Sequence, residues 1–241
     1  NTPANVLIDS NTNIDYLPSA SDTNYVLPPS IRRSLKSAIN DSLVDYRITG
    51  AFMPNPYYSE VDGNGMHFGK CMGIILTNRT DSTLVLTLDC GMQLLPLDST
   101  LQTMIVTKAL AIELPPHYQL ARMFDAMCGQ IHDGPPGTYS PYIIGELADS
   151  NVVKIANYLN IHDIQTVSGQ HAIWAYTDKI AADDLKPYGL DSLSLINTID
   201  ILNHAGVITR LNPPKPIVVS TPVVSDEMTI RKMYVYIVGG I

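Results

Sequence analysis

One short segment of the sequence combines residue types that could do chemistry. Residues 169 to 178 read GQHAIWAYTD and contain Gln170, a closing acidic residue and Trp174, the single tryptophan of the chain. The carboxamide of Gln170 could be a reactive group, or it could hydrogen-bond the free backbone N–H groups in the first turn of a helix. In the second case Trp174 would be a core residue of that helix. The segment alone leaves both alternatives open.

A second chemical group lies upstream of this segment. Cys128 stands in the sequence AMCGQIHDGPPGTY, 42 residues before Gln170. The pair resembles the thioester domains of bacterial surface adhesins, in which a cysteine before a Pro-containing segment is followed by a Gln-x-Ala-Ile-Trp type motif. That family usually has an aromatic residue before the cysteine and a larger residue before the glutamine, where this chain has Met127 and Gly169.

The resemblance implies a specific reaction. In that family the thiol attacks the glutamine carboxamide, ammonia leaves, and a buried internal thioester remains for a partner amine to open. Cys128 would be the nucleophile and Gln170 the electrophile, held in contact because an amide is a poor electrophile. His132 or a helix N-terminus could activate the thiol, and Trp174 would shield the bond from water. Such a site reacts once and does not turn over.

The composition restricts the classes of function. The chain has 241 residues, of which 45% are hydrophobic and 16% charged, and this excludes a disordered chain. Its net charge of -8 and its single basic cluster, IRRSLK at 31 to 36, argue against a nucleic-acid partner. No apolar run reaches the roughly 18 residues of a membrane span. The low charge and the uncharged polar surface that it requires favour an extracytoplasmic protein, secreted or at the cell surface.

Common catalytic and metal-binding signatures are missing from the sequence. It has no GxSxG, HExxH, GxGxxG or Walker pattern. Two His-Asp pairs, 132–133 and 162–163, lie in predicted loops and could form a zinc or acid–base site if the fold joined them. A metal-dependent hydrolase is therefore an alternative, although we predict no cofactor and no bound metal.

The cysteines and the glycosylation motifs carry less information. Cys71, Cys90 and Cys128 lack CxxC spacing, so each is predicted as a small buried residue, with one disulfide still open. Asn40 and Asn78 match the Asn-x-Ser/Thr pattern of a glycan acceptor, which matters only in a secretory host. Turn preference explains Asn78 equally well.

Residue periodicity predicts an α+β fold, with an antiparallel β-sandwich-like N-terminal half and a small helical C-terminal half. Strand-length runs rich in Ile, Val, Leu and Thr fill residues 70 to 114, separated by turn compositions. In TLVLTLDC the alternating residues Leu84, Leu86 and Leu88 share one face. Three or more antiparallel strands packed as a sandwich explain this pattern.

Helical spacing dominates after residue 141. Ser150, Ser168 and Asp191 are predicted N-caps of three helices, and Gly206 is the predicted end of the last one. An earlier, short helix is predicted after Ser30. These elements suggest a polar arm at 1–30, a mainly β domain at 31–135, and a helical part at 136–241 whose final β segment returns to the sheet.

These observations predict a non-enzymatic extracytoplasmic module that serves in structure, assembly or recognition at a surface. Its partner would be a protein or a second copy of the chain, because the arm or an edge strand could add to a neighbouring sheet. Nucleic acid and a membrane span are not expected. The alternatives are a covalent adhesin domain with a Cys128–Gln170 thioester and a metal-dependent hydrolase.

Overall fold

The computed structural model describes the backbone of residues 6–8 and, in full, residues 30–50, 67–137 and 140–212. Most of the predicted arm and the predicted final β segment lie outside the described residues. Within the described part of the chain, no helix is both long and apolar enough to cross a membrane.

The described residues contain ten strands. They are β1 (Val6–Ile8), β2 (Ser30–Ser34), β3 (Val44–Gly50), β4 (Phe68–Asn78), β5 (Thr83–Leu88), β6 (Met92–Pro96), β7 (Met104–Val106), β8 (Leu110–Leu114), β9 (Gln119–Cys128) and β10 (Pro141–Leu147). The last of them lies beyond residue 135, so the strands extend further along the chain than the predicted β domain did.

Six of these strands close into a barrel. Their order is β9-β4-β3-β10-β6-β7, each neighbouring pair is antiparallel, and β7 pairs in turn with β9. Strand β1 lies parallel to β9 beside this ring. The fold is thus a mixture of helices and strands, rich in strands and with a small helical part. Its larger sheet is a closed ring and not the layer of a sandwich, because β7 completes the hydrogen bonding that would otherwise leave two open edges.

A three-stranded sheet lies beside the barrel in the order β2-β5-β8. The predicted alternation in β5 is confirmed, since Leu84, Leu86 and Leu88 are all buried. Asn78, at the end of β4, is only 1% exposed, and its Nδ2 donates to the carbonyls of Ser82, Leu114 and Pro115. This asparagine therefore connects the barrel to the small sheet.

The short N-terminal helix begins later than predicted. Ser30 opens strand β2, which pairs in parallel with β5, and helix α1 covers Leu35–Asn40. The hydroxyl of Ser34 accepts a hydrogen bond from the N–H of Ser37, so Ser34 is the N-cap. Strand pairing outweighed the four-residue spacing of apolar residues that had indicated a helix from Ser30.

The helical part follows the barrel. It contains α2 (Ser150–Ile161), α3 (Val167–Thr177), α4 (Ala182–Leu185), a 3₁₀ turn (Lys186–Tyr188) and α5 (Ser192–His204). The cap at Asp191 and the left-handed Gly206 are confirmed. Asp149 caps α2 instead of Ser150, and α3 begins after Thr166, which places Ser168 inside its first turn.

Candidate functional site

The two residues singled out by the sequence lie on different halves of the molecule and meet at the contact between them. Cys128 is the last residue of β9, and Gln170 lies in the first turns of α3. Eight consecutive residues of α3, from Ser168 to Ala175, are buried. A helix buried on every side is surrounded by the rest of the fold. Cys128 is fully buried and Gln170 is 1% exposed.

The carboxamide of Gln170 pairs with the backbone of Cys128 through both of its polar atoms. The N–H of Cys128 donates to Gln170 Oε1 over 2.8 Å, and Gln170 Nε2 donates to the carbonyl of Cys128 over 2.8 Å. The same N–H also reaches the carbonyl of His67 at 2.8 Å. The amide group is therefore held beside the residue that carries the thiol, and a donor already contacts the oxygen on which charge would develop during attack.

The Cys128 thiol is protonated at neutral pH. Its Sγ lies 3.6 Å from the Sδ of Met104. Burial raises the pKa of the Cys128 thiol well above its ordinary value, and the neighbouring Cys71 raises it further. The suggested activator His132 is exposed and is not among the groups that shift this pKa. Any reaction at this centre starts from the neutral thiol.

Met127 and Gly169, the two departures from the adhesin pattern, pack against each other. A Cβ placed on Gly169 would lie 2.9 Å from Met127 Cε and 3.2 Å from the carbonyl oxygen of Ile164. A larger residue before the glutamine would require the flexible end of the Met127 side chain to shift, and it would also crowd Leu159 and the carbonyl of Ile164. The two departures thus compensate for each other sterically.

Trp174 lies one turn after Gln170 and belongs to a cluster of rings. Its ring centroid is 5.1 Å from that of His67 and 5.2 Å from that of Tyr188, in edge-to-face arrangements. Trp174 is 1% exposed, whereas His67 and Tyr188 are half-buried. Trp174 therefore joins the buried helix α3 to two rings that are partly exposed.

Further side chains of the helical part dock on strand ends of the barrel. Gln165 accepts a hydrogen bond from the hydroxyl of Thr107 and donates to its carbonyl. Asp178, the acidic residue that closes the GQHAIWAYTD segment, accepts from the N–H of Ile131. Sequence patterns did not point to Gln165, Tyr188 or His67, since their partners are distant in the chain and no motif surrounds them.

The two His-Asp pairs do not form a site among the described residues. His162 ends α2 with its ring against Tyr158, and Asp163 forms an ion pair with Lys108. Within the described ranges, no three His, Cys, Asp or Glu side chains are grouped so that they could hold a metal ion. All three cysteines are free and buried, as the sequence predicted for each of them.

Comparison with family models, curated proteins and solved structures finds no match for this chain. What the protein does must be inferred from its own residues and their geometry.

Proposed function

We propose that this chain is an extracytoplasmic recognition module that attaches to a partner covalently, through an internal thioester between Cys128 and Gln170. The observation that carries the proposal is the seating of the Gln170 carboxamide on the backbone of Cys128. Two residues 42 positions apart, one a thiol and the other a carboxamide, are both buried at one point. The low charge of the chain supports the extracytoplasmic location.

Formation of the bond needs no outside proton acceptor. Cys128 Sγ attacks Gln170 Cδ, and the electron pair of the C=O bond moves to Oε1, where the N–H of Cys128 donates a hydrogen bond. The C–N bond then breaks, and the amide nitrogen leaves as ammonia with the proton of the thiol. The thiolate is the nucleophile in this step, so the thiol proton must pass to the amide nitrogen as the sulfur attacks. The hydrogen bonds between the Gln170 carboxamide and the Cys128 backbone hold the two residues side by side, and this is the proximity on which the proposal relies.

The product would hold a reactive acyl group inside the protein. A primary amine of the partner attacks the thioester carbon, an amide bond forms to the side chain of residue 170, and the Cys128 thiol is released. One molecule therefore binds one amine and stays bound. This is single-use attachment and not turnover.

The mass of the intact, purified protein tests the proposal. We expect the wild type to be lighter than its sequence by the mass of one ammonia, and methylamine to add its own full mass. Cys128→Ala and Gln170→Ala should each abolish the deficit, whereas the matched control Cys90→Ala, at another buried thiol, should keep it. If the wild-type protein has the full mass of its sequence and all three thiols are alkylated after unfolding, the covalent function is wrong.

The second candidate is a non-covalent structural or recognition module. It is favoured by the fact that both polar atoms of the Gln170 amide already have partners, which is also what a purely structural clamp needs. Assembly would then use the polar arm or an edge of the three-stranded sheet, whose outer strands are β2 and β8. A full wild-type mass would favour this candidate.

A further inference from the structure

The Cys128–Gln170 centre is closed to solvent. Neither residue is exposed by more than 1%. A partner amine that opens a thioester here must therefore pass between side chains that cover the centre. The residues that could move aside are those of the ring cluster, because it extends from the centre to the surface.

The ring cluster is connected directly to the reactive residue. The carbonyl of His67 accepts the N–H of Cys128, and the ring of His67 lies against Trp174. Tyr188 covers the same rings from the other side, with its centroid 5.2 Å from that of Trp174 and 6.2 Å from that of His67. Three rings are thus in contact with one another, and the cluster is joined to the Cys128 peptide through the backbone of His67.

Tyr188 lies in a short turn outside the longer helices. It ends a three-residue 3₁₀ turn, and Gly189, with a φ of 85°, directs the chain away from it. Its hydroxyl donates to the carbonyl of Ile131 at 3.3 Å, and its own carbonyl accepts from His171 Nε2 at 3.1 Å. Trp174, in contrast, is fixed inside α3. Segments with few backbone hydrogen bonds open at the lowest free-energy cost.

Three buried polar atoms beside the cluster have no hydrogen-bond partner among the described residues. They are Trp174 Nε1, His171 Nδ1 and the Oε1 of Gln102, whose Nε2 lies 3.4 Å from His67 Nδ1. Because Nε2 of His171 donates to the Tyr188 carbonyl, Nδ1 is the unprotonated acceptor, and burial lowers the pKa of His171 and keeps it neutral. An unpaired buried polar atom is costly. An N–H group of an arriving amine would supply the donor that Nδ1 lacks.

We propose that Tyr188, anchored by His171, controls the access of a primary amine to Cys128 and Gln170. The inference rests on the proposed thioester for its biological meaning. Tyr188 acts as a positioning residue, since it contacts Ile131 and His171, which follow Cys128 and Gln170 in the chain, and does not take part in the bond changes. In this proposal, displacing its ring exposes the side of the centre on which Trp174 and His67 lie.

The test compares Tyr188→Ala and Tyr188→Phe with Tyr158→Ala, a control on α2 whose ring packs against His162 and His204. Two rates are measured for the full chain: methylamine incorporation by intact mass, and native alkylation of Cys128 by iodoacetamide in the Gln170→Ala background, where no thioester can form. Alkylation of Cys71, buried in the core of the barrel, reports global opening.

We expect Tyr188→Ala to raise both rates by roughly tenfold and Tyr188→Phe by roughly fivefold, the equivalent of one neutral hydrogen bond. Tyr158→Ala and the Cys71 rate should not change. Rates within about twofold of wild type, or an equal rise at Cys71, would overturn the role of Tyr188. If the wild type has its full mass and Cys128 alkylation still accelerates, the covalent function fails while the access role stands.

Discussion

Replacement of Gln170 by glutamate measures the contact with Cys128 without depending on the thioester. The comparison is made between Cys128→Ala and the double variant Cys128→Ala/Gln170→Glu, because neither can form the bond. The backbone N–H and carbonyl of residue 128 remain in both. Glutamate has the shape of glutamine, but its ionised form has no donor for that carbonyl, which lies 2.8 Å from Nε2 in the native pair.

The size and the sign of the effect follow from burial. Position 170 is 1% exposed, and a buried carboxyl has its pKa raised by roughly 2–4 units. Each unit is worth about 1.4 kcal/mol, so the double variant should lose about 3–5 kcal/mol of unfolding free energy at pH 8. When protonated, the carboxyl group can donate to the carbonyl of residue 128 and accept from its N–H. The loss of unfolding free energy is therefore absent below the pKa of the glutamate in the unfolded chain, about 4.3. It grows as pH rises through the pKa of the same group in the folded protein.

Urea unfolding between pH 4 and pH 8 gives the required free energies. The matched control is Gln165→Glu in the same background, because Gln165 also uses both amide atoms, on Thr107, but is only half-buried. We expect the control to lose about 1 kcal/mol with little dependence on pH. The inferred contact would be refuted if Gln170→Glu lost less than about 1 kcal/mol of unfolding free energy at pH 8, or if it lost the same amount at pH 4 and at pH 8.

Two other residues give predictions about stability. Asn78→Ala removes the donor to the buried carbonyl of Leu114 and to two neighbouring carbonyls. We expect urea unfolding to show a loss of about 2–4 kcal/mol of unfolding free energy. The control Asn40→Ala, at an exposed position, should lose about 0.5 kcal/mol or less. Asp149→Ala removes the N-cap of α2 and should cost about 1 kcal/mol at pH 7. Partial burial raises the pKa of Asp149, but hydrogen bonds from Tyr176 and from two backbone N–H groups lower it, and the net shift is downward. Its contribution is therefore present at neutral pH and lost as pH falls through the folded pKa, so equal stability losses at pH 7 and in acid would contradict the cap.

Local patterns in the sequence determined the local structure. The alternation of Leu84, Leu86 and Leu88 predicts a strand with one buried face, and Asp191 and Gly206 mark the two ends of α5. Such signals involve residues a few positions apart, so the backbone conformation alone produces them. Where two local signals competed, as at Ser30, pairing with a distant strand decided the result.

The chemistry of the candidate site was readable only in part. Cys128, Gln170 and Trp174 were singled out by their residue types and their order in the sequence, and a thioester between the first two stays a prediction. His67, Tyr188 and His171 complete the surroundings through contacts that no spacing in the sequence encodes. The compensation between Met127 and Gly169 was equally hidden, because it depends on how closely β9 and α3 approach.

What the sequence by itself determined is local: the buried face of β5 and the two ends of α5. It also contains a thiol, Cys128, and a carboxamide, Gln170, whose reaction with each other stays a prediction. What only the tertiary structure decided is closure of the barrel and the meeting of β9 with α3. A strand with one buried face fits a sandwich and a barrel equally well, and the pairing of β7 with β9 distinguishes them here. The same long-range packing brings the Gln170 amide to within 2.8 Å of the Cys128 backbone, because α3 packs against β9 and a buried carboxamide is stable only when it is hydrogen-bonded.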